Sequence, residues 1–252
     1  MGVSKLVTRQ QMLQKIRRAL GSQDEDKATM PGDLAALADL GAVLPPIPPE
    51  HLIGTFEEEL RKVGGCTYRA TSRAEIAGIL HQILKIGGQA APDRSEGIVL
   101  SRNPLLTRLE IKEIIEGLGL RAWAWPGEAG RVLAAEDERA YRERCFSSGA
   151  GVTGVDFVLA ESGSLVLTSR TEGSQLSSLA PPVHIAFYLK SQVVGSLEEV
   201  LGGLPLPGSA AGDANGRSVV FVTGTSRTAD IEQILIRGVH GPREVHAILV
   251  DW

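Results

Sequence analysis

The sequence predicts an α/β fold: a mostly parallel β-sheet covered by helices, with one antiparallel hairpin and a helical extension ahead of the core. Three observations carry that expectation. From about residue 50, short apolar runs alternate with amphipathic stretches, a βαβα rhythm that buries a parallel sheet between helices. Asp156–Glu161 and Ser164–Thr168 are strand-like runs separated by Ser162-Gly163, the composition of a tight hairpin turn. The final segments read as a strand over 218–223, a helix over 228–237 and a strand over 245–251.

Residues 1–49 read as an extension and linker, and 50–252 as the α/β domain. Residues 1–21 have helical periodicity. Leu13, Ile16 and Leu20 share one face, Lys5, Arg9, Lys15, Arg17 and Arg18 make the helix basic, and Gly21 ends it. Leu34–Leu40 suits a short helix, and Pro45-Pro-Ile-Pro-Pro a stiff linker. In the domain, Glu57–Lys62 reads as helix and Cys66–Ala70 as strand, while Ser72 with Glu75 forms a capping box for a helix to Ile86. Ile98–Leu100 is a strand, Pro104 opens a helix to about Gly117, Ala122–Trp125 is a strand, and Glu136–Phe146 is a helix. Gly149-Ala-Gly-Val-Thr-Gly reads as a turn before the hairpin. A hydroxyl-rich loop and Pro181-Pro182 lead to a buried strand over Val183–Leu189, followed by a helix over Val194–Leu201 and a loop over 204–217.

Composition excludes several classes. The net charge is −4, and the 26 basic residues are spread along the chain, so no nucleic-acid surface is expected. Cys66 and Cys145 are the only cysteines, which gives no disulfide framework and points to a reducing compartment. No apolar run reaches membrane-spanning length and the N-terminus lacks an apolar signal core, so no transmembrane segment is expected and the expected location is the cytoplasm.

The candidate binding residues fall in four groups. The first is the turn after Val222. Gly224 permits positive φ, Ser226 or Thr228 suits a helix cap, and Arg227 adds a guanidinium to hydroxyls and unpaired N–H groups. Asp230 and Glu232 would complement the helix dipole there and oppose a highly charged phosphate, which favours a carboxylate, amide or single phosphate. Neither a P-loop lysine nor a G-x-G-x-x-G run after a strand is present. The second is Glu161, which period-two alternation puts on the face of Phe157 and Leu159. It is either a perturbed acid, base or nucleophile or an acceptor of backbone N–H groups at the turn. The third comprises Thr153 and Asp156, as ligand contacts or as local caps, and the Arg170–Ser178 loop with Arg170, Ser174, Ser177 and Ser178. The fourth is His240, a loop histidine able to shuttle protons or to bond a carbonyl. With Glu244 and His246 it imitates a metal triad, but Pro242 breaks the helix such a site needs, so no metal is expected. The expected pocket joins Glu161, Ser226, Arg227 and Asp230 to the 170–184 loop, because ligands collect at one edge of open α/β sheets.

Four motifs resemble the lactate utilization protein C family, whose shared unit is the LUD domain. They are Gly151-Val-Thr-Gly-Val-Asp-Phe-Val-Leu-Ala-Glu-Ser-Gly-Ser-Leu-Val-Leu, Ser178-Leu-Ala-Pro-Pro-Val-His-Ile, Thr223-Gly-Thr-Ser-Arg-Thr-Ala-Asp-Ile-Glu and Gly238-Val-His-Gly-Pro-Arg-Glu. They cover most of 150–251 in order, while the first 150 residues match only in general plan. The resemblance implies a NagB/RpiA/CoA-transferase-like, Rossmann-type sandwich. It also implies a part in oxidising L-lactate to pyruvate beside iron-sulfur partner proteins. Larger relatives carry the same domain plus cysteine motifs for clusters, and this chain has no such motif, so no cofactor is expected in it. Two functions follow as expectations: a non-redox subunit that binds a small carboxylate and its partners, or a CoA-transferase or acyl-CoA thioester enzyme in which Glu161 attacks the acyl carbonyl.

Overall fold

The computed structural model describes residues 46–87, 97–127, 133–204, 218–229, 235–238 and 240–252. The helices expected over 1–21 and Leu34–Leu40 and the 205–217 part of the expected loop lie outside them. Helix α1 (Leu52–Lys62) places Phe56 and Leu60, one turn apart, in the core. It stops where Gly64 takes φ +86°, with the Gly65 N–H reaching back to the Leu60 carbonyl. Strand β1 (Cys66–Ala70) follows. Arg69 on β1 clamps the carboxylate of Glu57 on α1 through bonds of 2.7 and 3.0 Å. Helix α2 (Arg73–Gly87) uses half of its expected capping box. The Ser72 hydroxyl accepts the Glu75 N–H, but the Glu75 carboxylate turns to the N–H and hydroxyl of Thr71.

Strand β2 (Ile98–Leu100) leads into α3 (Pro104–Arg108) and α4 (Ile111–Gly117). The sequence suggested one helix here. Glu110 breaks it at φ +53°, the one non-glycine residue with positive φ among those described. The break lets Leu105 and Leu106, then Ile111 and Ile115, face the same core. Strand β3 (Ala122–Ala124), α5 (Ala135–Ser147) and β4 (Ala150–Thr153) follow. The glycine-rich segment read as a turn is therefore a buried central strand. Gly151 is there because the chain passes directly over it: a β-carbon would lie 1.7 Å from the Ser177 carbonyl oxygen.

The expected hairpin forms around a longer turn than the two-residue Ser162-Gly163: β5 (Phe157–Leu159), a 3₁₀ turn over Ala160–Ser162 that takes Glu161 out of the strand, and β6 (Ser164–Thr168), paired antiparallel. Two short helices, α6 (Ser169–Glu172) and α7 (Leu176–Leu179), occupy the hydroxyl-rich loop before β7 (Val183–Leu189). A 3₁₀ turn, β8 (Val193–Val194) and α8 (Leu197–Gly203) precede β9 (Val219–Val222). At both described ends of the helix expected over 228–237 the chain is strand instead. Strands β10 (Arg227–Ala229) and β11 (Leu235–Arg237) pair antiparallel, with Arg227 opposite Arg237. The run Ile234-Leu-Ile is as strand-like as it is helical, and a strand partner five residues upstream decides it. Strand β12 (Glu244–Val250) ends the fold.

The six-stranded sheet has the order β1-β12-β7-β4-β2-β3, and all of its pairings are parallel. Its central strands are buried on both faces. Ile185, Phe187, Ile248 and Val250 pack towards α2, α3 and α4. Ala186, Tyr188, Val245 and Leu249 pack towards α1 and the second sheet. That sheet, in the order β8-β5-β6-β9, is the mixed, hairpin-built layer of the sandwich. Residues Pro46–Trp252 form one unit.

Candidate functional site at the strand ends

The sheet order defines a crevice. Strands β2 and β4 are neighbours, yet the chain leaving β2 runs to β3 on one side and the chain leaving β4 returns to β7 on the other. Their carboxyl ends form a topological switch point, the place where open α/β sheets collect ligands. Ser101, Arg102 and Asn103 follow β2 there, and Gly154 and Asp156 follow β4. Asn103 lies so close over Gly154 that a β-carbon would fall 2.2 Å from its amide carbon.

The chain leaving β6 folds back over this crevice as α6, and its last residue, Glu172, is fully buried. Its carboxyl accepts the Ser101 hydroxyl at 2.5 Å and the Asn103 side-chain amide, and its carbonyl accepts the Arg102 N–H at 3.0 Å. Burial pushes the Glu172 carboxyl up to about 7. The Ser101 and Asn103 bonds oppose that rise, and the neighbouring Asp156 charge adds to it. The Arg102 guanidinium donates to the carbonyl of Arg170. One helical turn is thus tied to β2 from both sides.

Asp156 sits one layer out. Its Oδ2 accepts the Thr168 N–H at 2.8 Å and the Thr171 hydroxyl at 2.7 Å. Beside it opens a pocket of about 200 Å3, lined by Asp156, Phe157, Thr168, Arg170, Gly203, Leu204 and Val219. Its lining combines Arg170, Asp156 and Thr168 with the apolar Phe157, Leu204 and Val219. Among the described residues the Arg170 guanidinium has no partner.

The remaining candidates divide between the two edges. Thr153 is buried at the end of β4, with its hydroxyl 2.8 Å from Nε2 of His184. His184 is pushed down to about 3 by burial, with the nearby His246 adding to the effect, and its Nδ1 has no partner among the described residues. The Ser177 hydroxyl donates to the Ser174 carbonyl, and its backbone covers Gly151. Both residues join the packing under the crevice. The 224–227 turn lies at the opposite edge. Thr225 donates its N–H to the Val63 carbonyl, Gly224 at φ +77° packs on Val63, and Ser226 bonds Pro242, all next to the starts of β1 and β12. Arg227 is exposed there, donates to Thr225 at 3.4 Å and lies over Gly64. Exposed His240 is on the same side, Thr228 is on β10, and Asp230 lies outside the described residues.

Glu161 is exposed in the 3₁₀ turn, and its Oε1 accepts the Leu197 N–H at 2.8 Å, capping α8. That turn is on the edge of the 224–227 segment, since Ser164 beside it bonds Thr223 at 2.6 Å. The expected convergence of Glu161, Ser226 and Arg227 with the 170–184 loop is therefore corrected. The hairpin separates Glu161 at its turn from Asp156 and Arg170 at its open end. Sequence reasoning missed Glu172, Ser101 and Asn103, whereas it reads His184, which opens a buried strand, as a structural histidine. Only the acid within the hydroxyl-rich loop gave any signal, and its burial is a tertiary effect.

Comparison with known proteins decides the family. A family model described as the LUD domain matches residues 53–250. The chain belongs to the LUD domain family. Among curated relatives, lactate utilization protein C of Bacillus licheniformis is 36% identical over 137 residues, covering 53% of this chain and 56% of that protein. The Halalkalibacterium halodurans protein of the same name is 37% identical over 109 residues, covering 43% of this chain and 47% of the relative. These matches span about half the length of the relatives. The Geobacillus thermodenitrificans protein is 28% identical, covering 80% of this chain and 79% of its own length. A solved structure, a DUF162 family protein from Deinococcus radiodurans, shares the fold at TM-score 0.51 and 19% identity. It covers 82% of this chain and 100% of that one. No helix among the described residues is long and apolar enough to cross a membrane.

Proposed function

We propose that this LUD domain protein takes part in oxidising L-lactate to pyruvate. It acts with iron-sulfur partner proteins in the cytoplasm and contributes a carboxylate-binding, interaction role instead of carrying electrons. The observation that carries the binding role is the pocket at the open end of the β5–β6 hairpin, where the exposed Arg170 guanidinium stands beside Asp156 with no partner among the described residues. A guanidinium offers a carboxylate two parallel N–H donors. The name shared by the relatives, lactate utilization protein C, supports lactate as the metabolic context.

The donor set supports the non-redox role. A cluster takes four cysteine thiolates or an equivalent set, whereas this chain has Cys66, exposed on β1, and Cys145, buried in α5 with its thiol pushed up to about 12 by burial. Among the described residues no group of three metal-binding side chains converges. The two electrons of lactate oxidation would therefore pass to partner clusters. The thioester reading draws no support from Glu161, whose carboxylate is exposed and occupied in capping α8.

The test is a clean deletion in a strain with no second copy. Loss of growth on L-lactate with normal growth on pyruvate is the expected result, and normal growth on both would remove the assignment. Anaerobic co-purification with the tagged chain should recover iron-sulfur proteins. Recovery of bound CoA in their place would favour the thioester enzyme.

A further inference from the structure

We infer that Asp156 makes the strand-end pocket selective for a 2-hydroxy acid over the corresponding 2-keto acid. The inference rests on the carboxylate-site reading above and deepens it by assigning the second polar contact. Asp156 and Arg170 line the same pocket, and their available atoms are complementary. The two protein donors to Asp156, the Thr168 N–H at 2.8 Å and the Thr171 hydroxyl at 2.7 Å, both go to Oδ2. Its Oδ1 has no partner among the described residues.

An ionised carboxylate only accepts hydrogen bonds. A ligand held by its own carboxylate on Arg170 therefore gains from Asp156 only if its adjacent carbon carries a donor. A 2-hydroxyl is such a donor. A 2-keto oxygen has only lone pairs and would face a carboxylate oxygen, which is repulsive and leaves both groups desolvated without a bond. Phe157, Leu204 and Val219 in the same lining suit the short alkyl end of the same molecule. A pocket of about 200 Å3 has room for a short-chain acid. Sites that hydrogen-bond a substrate hydroxyl discriminate strongly against analogues that lack it. Asp156 is half-buried, so the effect here is expected near the lower end for a hydrogen bond to a charged group, about 10-fold or somewhat more. In the proposed function, this selectivity would let the oxidised product leave in favour of new substrate.

The test is titration of the full chain with L-lactate, pyruvate and propionate, followed by NMR or calorimetry, for the wild type, Asp156→Asn and Arg170→Ala. The wild type should bind lactate about 10-fold or more tighter than pyruvate or propionate. Asp156→Asn keeps an oxygen for Thr168 and Thr171 and turns an N–H donor to the pocket, so the gap between lactate and pyruvate should close or invert. Arg170→Ala should weaken all three acids. Equal affinity of the wild type for lactate and pyruvate, or an undiminished preference in Asp156→Asn, would overturn the inference. Binding of none of the acids would overturn it as well. In each of these cases the growth phenotype of the deletion still decides the lactate role independently, and the wild-type comparison stands even if a variant fails to fold.

Discussion

Replacing Glu172 by Gln tests whether the buried acid at the strand ends is held in its neutral form. The side chain is fully buried between α6 and the segment after β2. Its surroundings offer a hydroxyl, an amide and the Thr171 side chain, with the Asp156 carboxylate close enough to oppose ionisation. The Arg102 guanidinium nearby donates to a carbonyl. The carboxyl accordingly moves from 4.5 to about 7 on folding, which corresponds to about 3 kcal/mol. The sign follows from proton binding. Between these values the folded state holds a proton that the unfolded state has released, so stability is fully present below 4.5 and is lost as pH rises through about 7. Glutamine matches the protonated acid in shape: its oxygen accepts from Asn103 and its amide donates to Ser101. The wild type should therefore lose about 2 kcal/mol relative to Glu172→Gln between pH 5 and pH 8. Urea denaturation of both proteins at the two pH values measures this directly. Parallel stabilities, with the same difference between the proteins at pH 5 and pH 8, would refute the argument.

Three further outcomes follow from the packing. Gly151→Ala should destabilise the fold by about 3 kcal/mol or more, because the clash is with backbone at Ser177 and a side-chain rotation cannot relieve it; thermal unfolding reads it out. Thr153→Val leaves the fully buried His184 ring with neither nitrogen bonded and should cost about 1–3 kcal/mol in denaturant titration. Glu161→Gln should cost no more than about 1 kcal/mol and leave growth on L-lactate intact, since the side chain only caps α8. Lost growth with a folded protein would revive Glu161 as a reacting group.

Much of the sheet was legible because its strands are bounded by unambiguous signals. Val183–Leu189 follows Pro181-Pro182 and is apolar without alternation, as a strand buried on both faces must be. Ser162-Gly163 fixed the hairpin, and Gly163 takes φ +64°. The failures share one cause: local pattern gives no information about what lies opposite. Gly149–Gly154 looked like a turn, but Gly151 and Gly154 are small because Ser177 and Asn103 press on them. Thr228–Arg237 fits a helical period, and only the pairing of Arg227 with Arg237 shows it to be a hairpin. That error propagated into the site, because a helix N-terminus at Ser226 was the reason to favour Arg227. Asp156 and Arg170 were visible as chemistry, but their union in one pocket depends on α6 folding back over β2. That return is secured by Glu172, Ser101 and Asn103, and the burial that joins their side chains carries no local signature.

The central claim is that ligand recognition sits at the strand ends around Arg170 and not at the opposite edge around Arg227. Complementation of the deletion strain on L-lactate with Arg170→Ala and Arg227→Ala, each first shown to be folded and expressed at wild-type level, tests it most directly. The account predicts that Arg227→Ala restores growth and Arg170→Ala does not, through loss of a charge-assisted contact of roughly 1.5–3 kcal/mol. Growth restored by Arg170→Ala and lost with Arg227→Ala would contradict it.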